Sequence, residues 1–561
     1  MKILLKITTL LCIVAIMCSV LCACDTKSSG STVDLAKGKT TINESFAIDN
    51  NNIEESIDIS KANKITLNND KATADNNCAQ TDGAFVTIEK AGVYLIDGSA
   101  NNGQIKVKAQ DTDVVVLVLN GVDITNQSGC PIHIKKAQKA YIVPYKGSQN
   151  KLSDTANYQF DADDTDGEPD ATIFSKSDLL ISGSGTLNIT ANYSSAIKSK
   201  DNLCITKANI TATSVDDGIK GRDSLTIEDS TITLDTTNTA VKTTNDEENI
   251  GDMTLRDSKF TINSDNDAFN CKNNLYVNGG SFTINAGDDA FHADATLSVN
   301  NGNINIEKCY EGLEGQQIKI AGGNIHIISS DDGLNSAGGN DSSAFNGGRQ
   351  DPFAVDMDAT IDITGGYIYI NSSGDGIDSN GTITMSGGTV LVDGPENSGN
   401  GALDYASTFT CDGGLLVASG MSGMAQAVSD SSSQYCIMAN ISTQNSKTLF
   451  SVLDKDNNAL ITYAPSKSYS NIIVCSDKLK SAQTYTISTG GKSSDKCTDG
   501  LYSGNSYSGG TTQATFTLNS IVTSNGGGMG GPGDMGGHGG MGGPGDMGGM
   551  APHGNHRPPM G

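Results

Sequence analysis

The sequence predicts an all-β protein, a right-handed parallel β-helix with rungs of about 22 residues. The first observation is a small residue that follows an acidic or polar pair and returns, in most steps, after 21 or 22 residues. The second is that apolar residues alternate at a fixed offset from it, as Leu275 and Val277 do. The third is a Gly-rich turn such as NGG or TGG between the alternating segments. The recurring small residues are Ala196, Gly218, Ala240, Ala268, Ala290, Gly312, Gly333, Gly376 and Ala402.

Each repeat is expected to form two or three short strands, because alternation with a period of two marks a strand with one buried face. One repeat cannot bury its apolar face alone, so the repeats are expected to stack around a continuous core. A leucine-rich-repeat horseshoe has a similar period, but its Leu-rich consensus is missing from this sequence. A β-propeller would need roughly twice the period.

The N-terminus predicts export from the cell. Residues 1–23 combine Lys2 and Lys6 with an apolar run, which is typical of a signal peptide. The end of this run, LCAC, resembles the bacterial lipobox, and the resemblance implies cleavage before Cys24 and a lipid on its thiol. The predicted location is the extracellular face of the cell membrane, with the lipid as the sole membrane contact. Cleavage without lipidation, which would give a secreted protein, is the alternative.

The remaining segments follow in order along the chain. Residues 24–40 read as a polar tether and residues 41–434 as the β-helix, with opening rungs in GVYLIDG and in the stretch 171–190. Residues 435–523 lose the small-residue marker and predict a β cap that protects the open end of the stack. Residues 524–561 are rich in Gly, Met and Pro and cannot form a core, so they predict a disordered tail.

Charge and cysteine content limit the partners. The chain has 37 Lys and Arg against 64 Asp and Glu, a net charge of −27, which disfavours nucleic acid and anionic membrane surfaces. A monomer is expected. Nine cysteines follow Cys24, several at apolar repeat positions, so buried free thiols are expected more than a disulfide framework. A pairing of Cys475 with Cys497 is left open.

Acidic residues recur at the start of successive rungs and predict Ca²⁺ as a cofactor. Equivalent residues of successive rungs lie about 4.8 Å apart, where like carboxylates repel by about 1 kcal/mol or more. Ca²⁺ compensates such clusters by taking six to eight oxygen ligands. Lysines replace the acids in early rungs, so calcium is expected in the later ones. The expected ligands are Asp267, Asn270, Asp288, Asp289, Glu311, Glu314, Asp331, Asp332, Asn335, Asp375 and Asp378.

A purely structural role stays open for these acids, since Asp and Asn before Gly are also common turn formers. Turns form without acids in SSAIK at 194–198 and NTAVK at 238–242. The dominance of acids from Asp265 to Asp378 is therefore what favours calcium.

The segments DDAFH, DDGLN and GDGID, each followed by alternating strands and a Gly-Gly turn, carry a family resemblance. The chain resembles the carbohydrate-binding parallel β-helix lipoproteins of clostridia and related anaerobes over residues 40–523. The resemblance implies calcium and binding of plant cell-wall polysaccharide, either cellulose or polygalacturonate. The motif is also similar to that of family 9 pectate lyases, and Asp331, Asp332 and Asn335 match it best, followed by Asp375 and Asp378.

Three functions are compatible with the sequence. A polysaccharide-binding surface lipoprotein is favoured over an enzyme. The alternative enzyme is a calcium-dependent polyuronate lyase, whose base would have to be Lys308 or Lys319. The third is a structural surface protein or adhesin. The absence of Trp weakens the idea of a flat aromatic strip on cellulose, although Tyr310, Tyr367 and Tyr369 could stack on sugar.

Overall fold

The computed structural model describes residues 37–43, 46–162, 164, 167–336 and 355–526. The predicted signal peptide, Cys24, most of the tether, the Gly-rich tail from 527 and the insertion 337–354 lie outside the described residues. Within the described part, no helix is long and apolar enough to cross a membrane.

The predicted parallel β-helix is confirmed. The chain winds through about 13 turns, and strands of successive turns pair in parallel along three faces. We call these faces sheets 1, 2 and 3 in the order in which each rung visits them.

Sheet 1 has the shortest strands and follows the small marker residue of each rung. Its strands are Phe85–Ile88, Gln104–Lys108, Ile132–Lys136, Ala171–Ser175, Ser195–Ser199, Ile219–Gly221, Val241–Thr243, Phe269–Cys271, Leu334–Ser336, Ile377–Ser379 and Leu403–Tyr405. Two longer strands, Phe291–Cys309 and Leu313–Ile320, begin in this sheet and continue into the next.

Sheets 2 and 3 complete each rung, and several strands run through both. The strands shared by the two sheets are Asn63–Asn68, Gly92–Ala100, Val114–Thr125, Asp178–Ala191, Asn202–Ser214 and Leu275–Ala286. Strands confined to sheet 2 are Lys139–Pro144, Ser224–Glu228, Asp252–Arg256, Thr360–Ile363, Thr382–Met385 and Thr408–Cys411. Strands confined to sheet 3 are Gln149–Ser153, Thr231–Thr236, Lys259–Ser264, Asn324–Ser329, Tyr367–Ser372, Thr389–Asp393 and Leu415–Gly420.

The core consists of columns of apolar side chains with one member per rung. Ile197, Ile219 and Val241 lie in register in sheet 1 and are fully buried. The rings of Phe269 and Phe291 stack with centroids 4.8 Å apart. This distance equals the spacing of hydrogen-bonded strands, so the aromatic rings extend the ladder of the backbone into the core.

The first described segment departs from the prediction that the rungs begin at 41. Lys39–Asn43 and Phe46–Asp49 form an antiparallel hairpin, followed by the short helix Ile53–Ser56 and the 3₁₀ turn Ile59–Lys61. Parallel stacking starts with Asn63–Asn68. Antiparallel partners Lys71–Ala74 and Gln80–Asp82 and the 3₁₀ turn Asp75–Asn77 flank the first rung.

Antiparallel strands cover the other end. Tyr469–Ser476 pairs with the last strand of sheet 3, Leu415–Gly420, and with Cys436–Gln444, against which Val522–Ser524 lies in parallel. A separate six-stranded antiparallel sheet completes the cap. Its strands are Phe450–Leu453, Ala459–Tyr463, Thr484–Thr489, Cys497–Thr498, Leu501–Tyr502 and Thr511–Thr517.

The cysteines described from Cys78 onward are all free thiols, and most are buried. The pairing of Cys475 with Cys497, left open by the sequence, is not formed. Cys475 is fully buried opposite Cys436 on the neighbouring strand, whereas Cys497 is exposed on the edge of the six-stranded sheet.

Candidate functional site

The outward face of sheet 1 carries a column of polar side chains, two positions after each small marker residue. We call it the outer column. Sheet register places its members directly above one another. From early to late rungs these members are Lys198, Lys220, Lys242, Asn270, His292, Glu314, Asn335, Asp378 and Asp404.

A second ladder, the turn column, lies just before the marker residue. Its backbone carbonyls accept hydrogen bonds from the marker residue of the preceding rung, as in Ala268 N–H to Asp289 O at 2.9 Å. Backbone hydrogen bonds therefore fix the stacking of the turn column. The stacked carboxylates either repel one another or share a cation. The acidic members of the turn column are Asp217, Asp267, Asp289, Glu311, Asp332 and Asp375.

In the early rungs the turn column is neutralised by lysine. The carboxylate of Asp217 is almost fully buried, and it forms ion pairs with Lys220 and with Lys242, the latter at 3.5 Å. Both lysines belong to the outer column. This arrangement satisfies the buried charge within the protein and leaves no reason for a metal at Asp217.

The middle rungs use amides and one histidine. Asn270 Nδ2 donates to Asp267 Oδ2 at 2.8 Å. His292 lies between Asp289 at 3.4 Å, Asp294 at 3.0 Å and Glu314, with which it forms a very close contact. Burial alone would lower the pKa of His292, but hydrogen bonds to these three carboxylates raise it well above its ordinary value. The imidazolium therefore supplies the cation in these rungs.

The next rung pairs an acid with an amide. Asn335 Nδ2 donates to Glu311 Oε2 at 2.7 Å, so these two predicted calcium ligands contact each other. Asp331 contacts the hydroxyl of Tyr310, and this hydrogen bond raises the pKa of Tyr310 to about 12. Tyr310 is 40% exposed and presents its ring to solvent beside the acids.

Asp332, Asp375 and Asp378 form what we call the late cluster, in which one oxygen from each carboxylate lies within 4.8 Å of the others. Among the described residues, no lysine, arginine or histidine forms an ion pair with any of the three. Burial, followed by repulsion from neighbouring carboxylates, raises the pKa of Asp332 to about 9 and of Asp378 to about 8. Burial also raises the pKa of Asp375 to about 7.

A glycine lies directly against the late cluster. Gly374 occupies the position where other rungs carry Asp288, Tyr310 or Asp331. A Cβ atom at Gly374 would lie 2.2 Å from Asp331 Oδ1 and 2.4 Å from Asp332 Oδ1. The donor set is oxygen only, which suits a hard cation such as Ca²⁺.

Two carboxylates of the late cluster are partly held by backbone. Asp375 N–H donates to Asp332 Oδ1 at 2.6 Å, and Gly401 N–H donates to Asp375 Oδ1 at 2.5 Å. These bonds orient the carboxylates. Ca²⁺ takes six to eight oxygens, so three carboxylates leave coordination positions for water or for oxygens of a bound molecule.

A groove of about 330 Å³ lies along the outer column at Lys242, Asn270 and His292. Lys242 and Lys272 line it together with Asp267, Asp288 and Asp289, and one oxygen from each of these three acids lies within 4.8 Å of the others. Lys272 also forms an ion pair with Asp294 at 3.0 Å. The groove lining includes Thr239, Thr243, Asn266, Asn270 and His292 as well.

Sequence reasoning missed Lys272, Asp294 and Asp404. Lys272 and Asp294 occupy the outward position two residues after the outer column, a second periodicity that could have been read from the same alignment of rungs. Asp404 continues the outer column beyond Asp378 and accepts a hydrogen bond from Gln426 at 2.8 Å.

The two lysines named as lyase bases lie elsewhere. Lys319 is in the sheet 2 part of its strand, opposite Ser298, and Lys308 is in the sheet 3 part of Phe291–Cys309. Both are exposed. Neither lines the groove, so the structure does not support either as a base beside the acids.

Two of the three tyrosines considered for sugar stacking are engaged by the cap. Tyr367 donates to Asp499 at 2.9 Å, and Tyr369 donates to Ser466 at 3.3 Å, both acceptors lying in the cap. Their rings pack against the core of the C-terminal cap. Tyr310 keeps an exposed ring.

Comparison with known proteins assigns the chain to a family. Residues 82–351 and 288–519 match the family model described as "Carbohydrate-binding domain-containing protein". The chain belongs to this carbohydrate-binding domain family. A family relative from Acetivibrio thermocellus, also described as a carbohydrate-binding domain-containing protein, is 41% identical over 153 residues. That match covers 26% of this chain and 52% of the relative, so the chain spans about half the length of that relative.

A solved structure also resembles this member of the family. It is described as "Structure of the polysaccharide lyase-like protein from C. thermocellum, Gadolinium derivative". The sequence identity is 33%, and the match covers 42% of this chain and 96% of the other, with a TM-score of 0.41.

Proposed function

We propose that this family member is a surface lipoprotein that binds polygalacturonate through Ca²⁺ held in the late rungs of sheet 1. The late cluster of Asp332, Asp375 and Asp378 is the observation that carries the proposal, because three partly buried carboxylates face one another and form no ion pair with a lysine, arginine or histidine among the described residues. Of the equivalent acids in earlier rungs, Asp217 pairs with Lys220 and Lys242, and Asp289 pairs with His292.

Calcium would be held by the three carboxylates of the late cluster, with Asp331 beside them. A divalent cation supplies the positive charge that these rungs lack, and it would lower the pKa of each ligand by stabilising the ionised form. The acids in the groove, Asp267, Asp288 and Asp289, form a second group of oxygens within 4.8 Å of one another. Ion pairing with the nearby imidazolium of His292 makes this second group the weaker candidate.

An acidic polymer is the ligand that best explains calcium on an acidic protein. The chain carries a net charge of −27, so a polyuronate approaches it favourably only where cations offset both charges. Coordination positions left open by the late cluster would accept uronate carboxylate or hydroxyl oxygens. The exposed ring of Tyr310 beside Asp331 would cover one face of a sugar ring.

One observation favours a calcium-dependent polyuronate lyase as the second candidate. The groove brings Lys242 and Lys272 within reach of the acids Asp267, Asp288 and Asp289. Proton abstraction next to a carboxylate needs a base beside the cation that polarises that carboxylate. Lys242 is already paired with Asp217 and Lys272 with Asp294, which ranks binding above catalysis.

Retention on immobilised polygalacturonate tests the proposal, with calcium or chelator in the buffer and unsaturated product measured in the eluate. We expect retention that needs calcium, yields no product and is lost in an Asp332→Asn, Asp378→Asn double variant. Asp362→Asn is a matched control, since Asp362 lies in sheet 2, where it accepts from Thr384.

Each other outcome has a definite meaning. Unsaturated product would establish the lyase, and Lys242→Met and Lys272→Met would then identify the base. Equal retention in chelator and in calcium would contradict the role of the metal. An absence of retention in calcium would contradict polygalacturonate as the ligand.

Anchoring is tested separately, on intact cells. We expect radioactive palmitate to label the wild-type chain, and a Cys24→Ser variant to lose both the label and cell association. Release of an unlabelled wild-type chain into the medium would contradict the anchor.

A further inference from the structure

Three aromatic side chains pack together beside the early rungs of sheet 1, two of them partly buried and the third, Phe160, exposed. The rings of Tyr158 and Tyr193 stack with centroids 4.1 Å apart and an interplanar angle of 15°. Phe160 packs edge-on against Tyr193 at 6.3 Å and is 41% exposed. We call these three residues the aromatic platform.

The aromatic platform is held in place by a buried carboxylate. Tyr158 donates its hydroxyl proton to Asp154 Oδ2 at 2.7 Å, and the backbone N–H of Asn192, next to Tyr193, donates to Asp154 Oδ1 at 2.5 Å. Asp154 is 4% exposed. Both tyrosines are therefore positioned from the same anchor, so a ligand would meet a preorganised surface and lose little affinity to ordering.

A small polar pocket opens next to the aromatic platform. The segment that carries Tyr158 and Phe160 also supplies Gln159 and Asp161 to the pocket wall. His133 lines the pocket from sheet 1, where it lies in register with Lys106 and Phe174. Its side chain is 1% exposed, and its Nε2 atom has no hydrogen-bond partner among the described residues. A buried polar atom without a partner is costly, which points to a ligand or solvent group that completes it.

The pocket is electrically balanced. Lys106 pairs with Asp161 at 2.5 Å, and Lys135 pairs with Asp164 at 2.6 Å. Burial lowers the pKa of His133 to about 4, so its imidazole is neutral near pH 7 and offers one donor and one acceptor. Neutral hydroxyl groups match this environment better than a carboxylate does.

The pocket is small, so we assign different parts of a sugar residue to the pocket and to the aromatic platform. Its volume is about 90 Å³, and we assign it to a hydroxymethyl group of the sugar rather than to the ring. The ring itself would lie outside on the aromatic platform, with its apolar C–H face against Phe160 and Tyr193.

We propose that the aromatic platform and the His133 pocket form a calcium-independent subsite for a neutral sugar residue of a polysaccharide. The inference deepens the proposed function, on which it rests for the class of ligand. His133 and Asp378 occupy the same column of sheet 1, separated by nine register steps. At about 4.8 Å per step the two sites lie about 43 Å apart along one face. One extended polysaccharide with neutral and acidic stretches could therefore occupy both.

Calorimetric titration of the full chain in chelator tests the subsite, with neutral hexasaccharides of glucose, xylose, mannose and galactose as probes. We expect at least one of them to bind. Phe160→Ala should weaken that binding about tenfold, which corresponds to the loss of one aromatic contact of about 1.4 kcal/mol. Phe160 is exposed, so this substitution should leave the fold intact. Ile328→Ala is the matched control, because its side chain is also exposed but lies on a strand of sheet 3, away from the aromatic platform.

His133→Phe provides the second variant. It keeps an aromatic ring near Phe174 but removes the unpartnered nitrogen. We expect weaker hexasaccharide binding with no loss of thermal stability. Unchanged affinity in both Phe160→Ala and His133→Phe would overturn the subsite.

The outcomes for the two sites are distinguishable. Calcium-dependent retention on polygalacturonate, with no hexasaccharide bound in chelator, overturns the subsite and leaves the proposed function standing. Hexasaccharide binding in chelator that Phe160→Ala weakens, with no calcium-dependent retention, supports the subsite and overturns the calcium proposal.

Discussion

Replacing Asp378 by Asn should have opposite effects on stability with and without calcium. Asp378 shares the late cluster with Asp332 and Asp375, whose nearest oxygens lie within 4.8 Å. At that distance two unit charges interact by about 0.9 kcal/mol in a water-like dielectric and by about 3.5 kcal/mol at an effective dielectric constant of 20. Asp378→Asn removes this repulsion, so the calcium-free variant should be more stable than wild type by about 1 to 3 kcal/mol at pH 9.

Calcium should reverse the order. A ligand at 100 times its dissociation constant stabilises the folded state by about 2.7 kcal/mol, and the variant should lose most of this gain. Calorimetric unfolding at pH 9, in chelator and in millimolar calcium, measures both effects on the same pair of proteins.

Asp217→Asn is the matched control from the same face. Asp217 is neutralised by Lys220 and Lys242, so its substitution leaves two half-buried lysines unpaired. It should destabilise the protein in chelator and in calcium alike. If Asp378→Asn also destabilises under both conditions, the late cluster does not store repulsion and the reasoning is refuted.

Three further predictions concern the same features. In chelator, wild-type stability should fall as pH rises from about 4 to 9, because Asp375, Asp378 and Asp332 keep protons to pKa values of about 7, 8 and 9 that the unfolded chain loses near 3.8. Titration of the Asp332→Asn, Asp375→Asn, Asp378→Asn variant should show a shallower fall, and an unchanged slope would contradict those pKa values. Gly374→Ala should weaken calcium affinity in calorimetry at least tenfold, since a Cβ would meet Asp331 and Asp332, whereas unchanged affinity would place the metal elsewhere. A thiol reagent should modify Cys497 rapidly and the buried cysteines only after unfolding, and fast modification of Cys475 would contradict its place in the core.

Repetition explains why so much of the fold could be predicted from sequence. Each rung has the same alternation of apolar and polar residues, so a strand that is ambiguous in one rung can be assigned from the neighbouring rungs. Ile197, Ile219 and Val241 are examples, since one offset from the marker places all three in the core. The hairpin at residues 39–49 has no such copies in the sequence. The prediction that the β-helix begins at residue 41 was therefore wrong.

The sequence could not predict which acids have a cationic neighbour, because those contacts are made between rungs. The rung pattern aligns Glu314 with Asp378 as equivalent acids, yet His292 lies against Glu314 and no such cation lies against Asp378 among the described residues. That difference arises from a single side chain one rung earlier. The eleven expected calcium ligands therefore divide into groups with different neighbours, and calcium binding by any of them stays a prediction.

The aromatic platform was invisible in sequence for a related reason. Tyr158 and Phe160 lie in a long connection between rungs, where no periodicity assigns a face. Only folding brings them to Tyr193 and brings Gln159 to His133.

Anomalous diffraction from crystals grown in calcium tests the central claim most directly. The account predicts a calcium peak among the carboxylates of Asp332, Asp375 and Asp378, and none at Asp217 with its two lysines. A map with no peak on the outward face of sheet 1, or with its strongest peak at Asp217, would contradict the account.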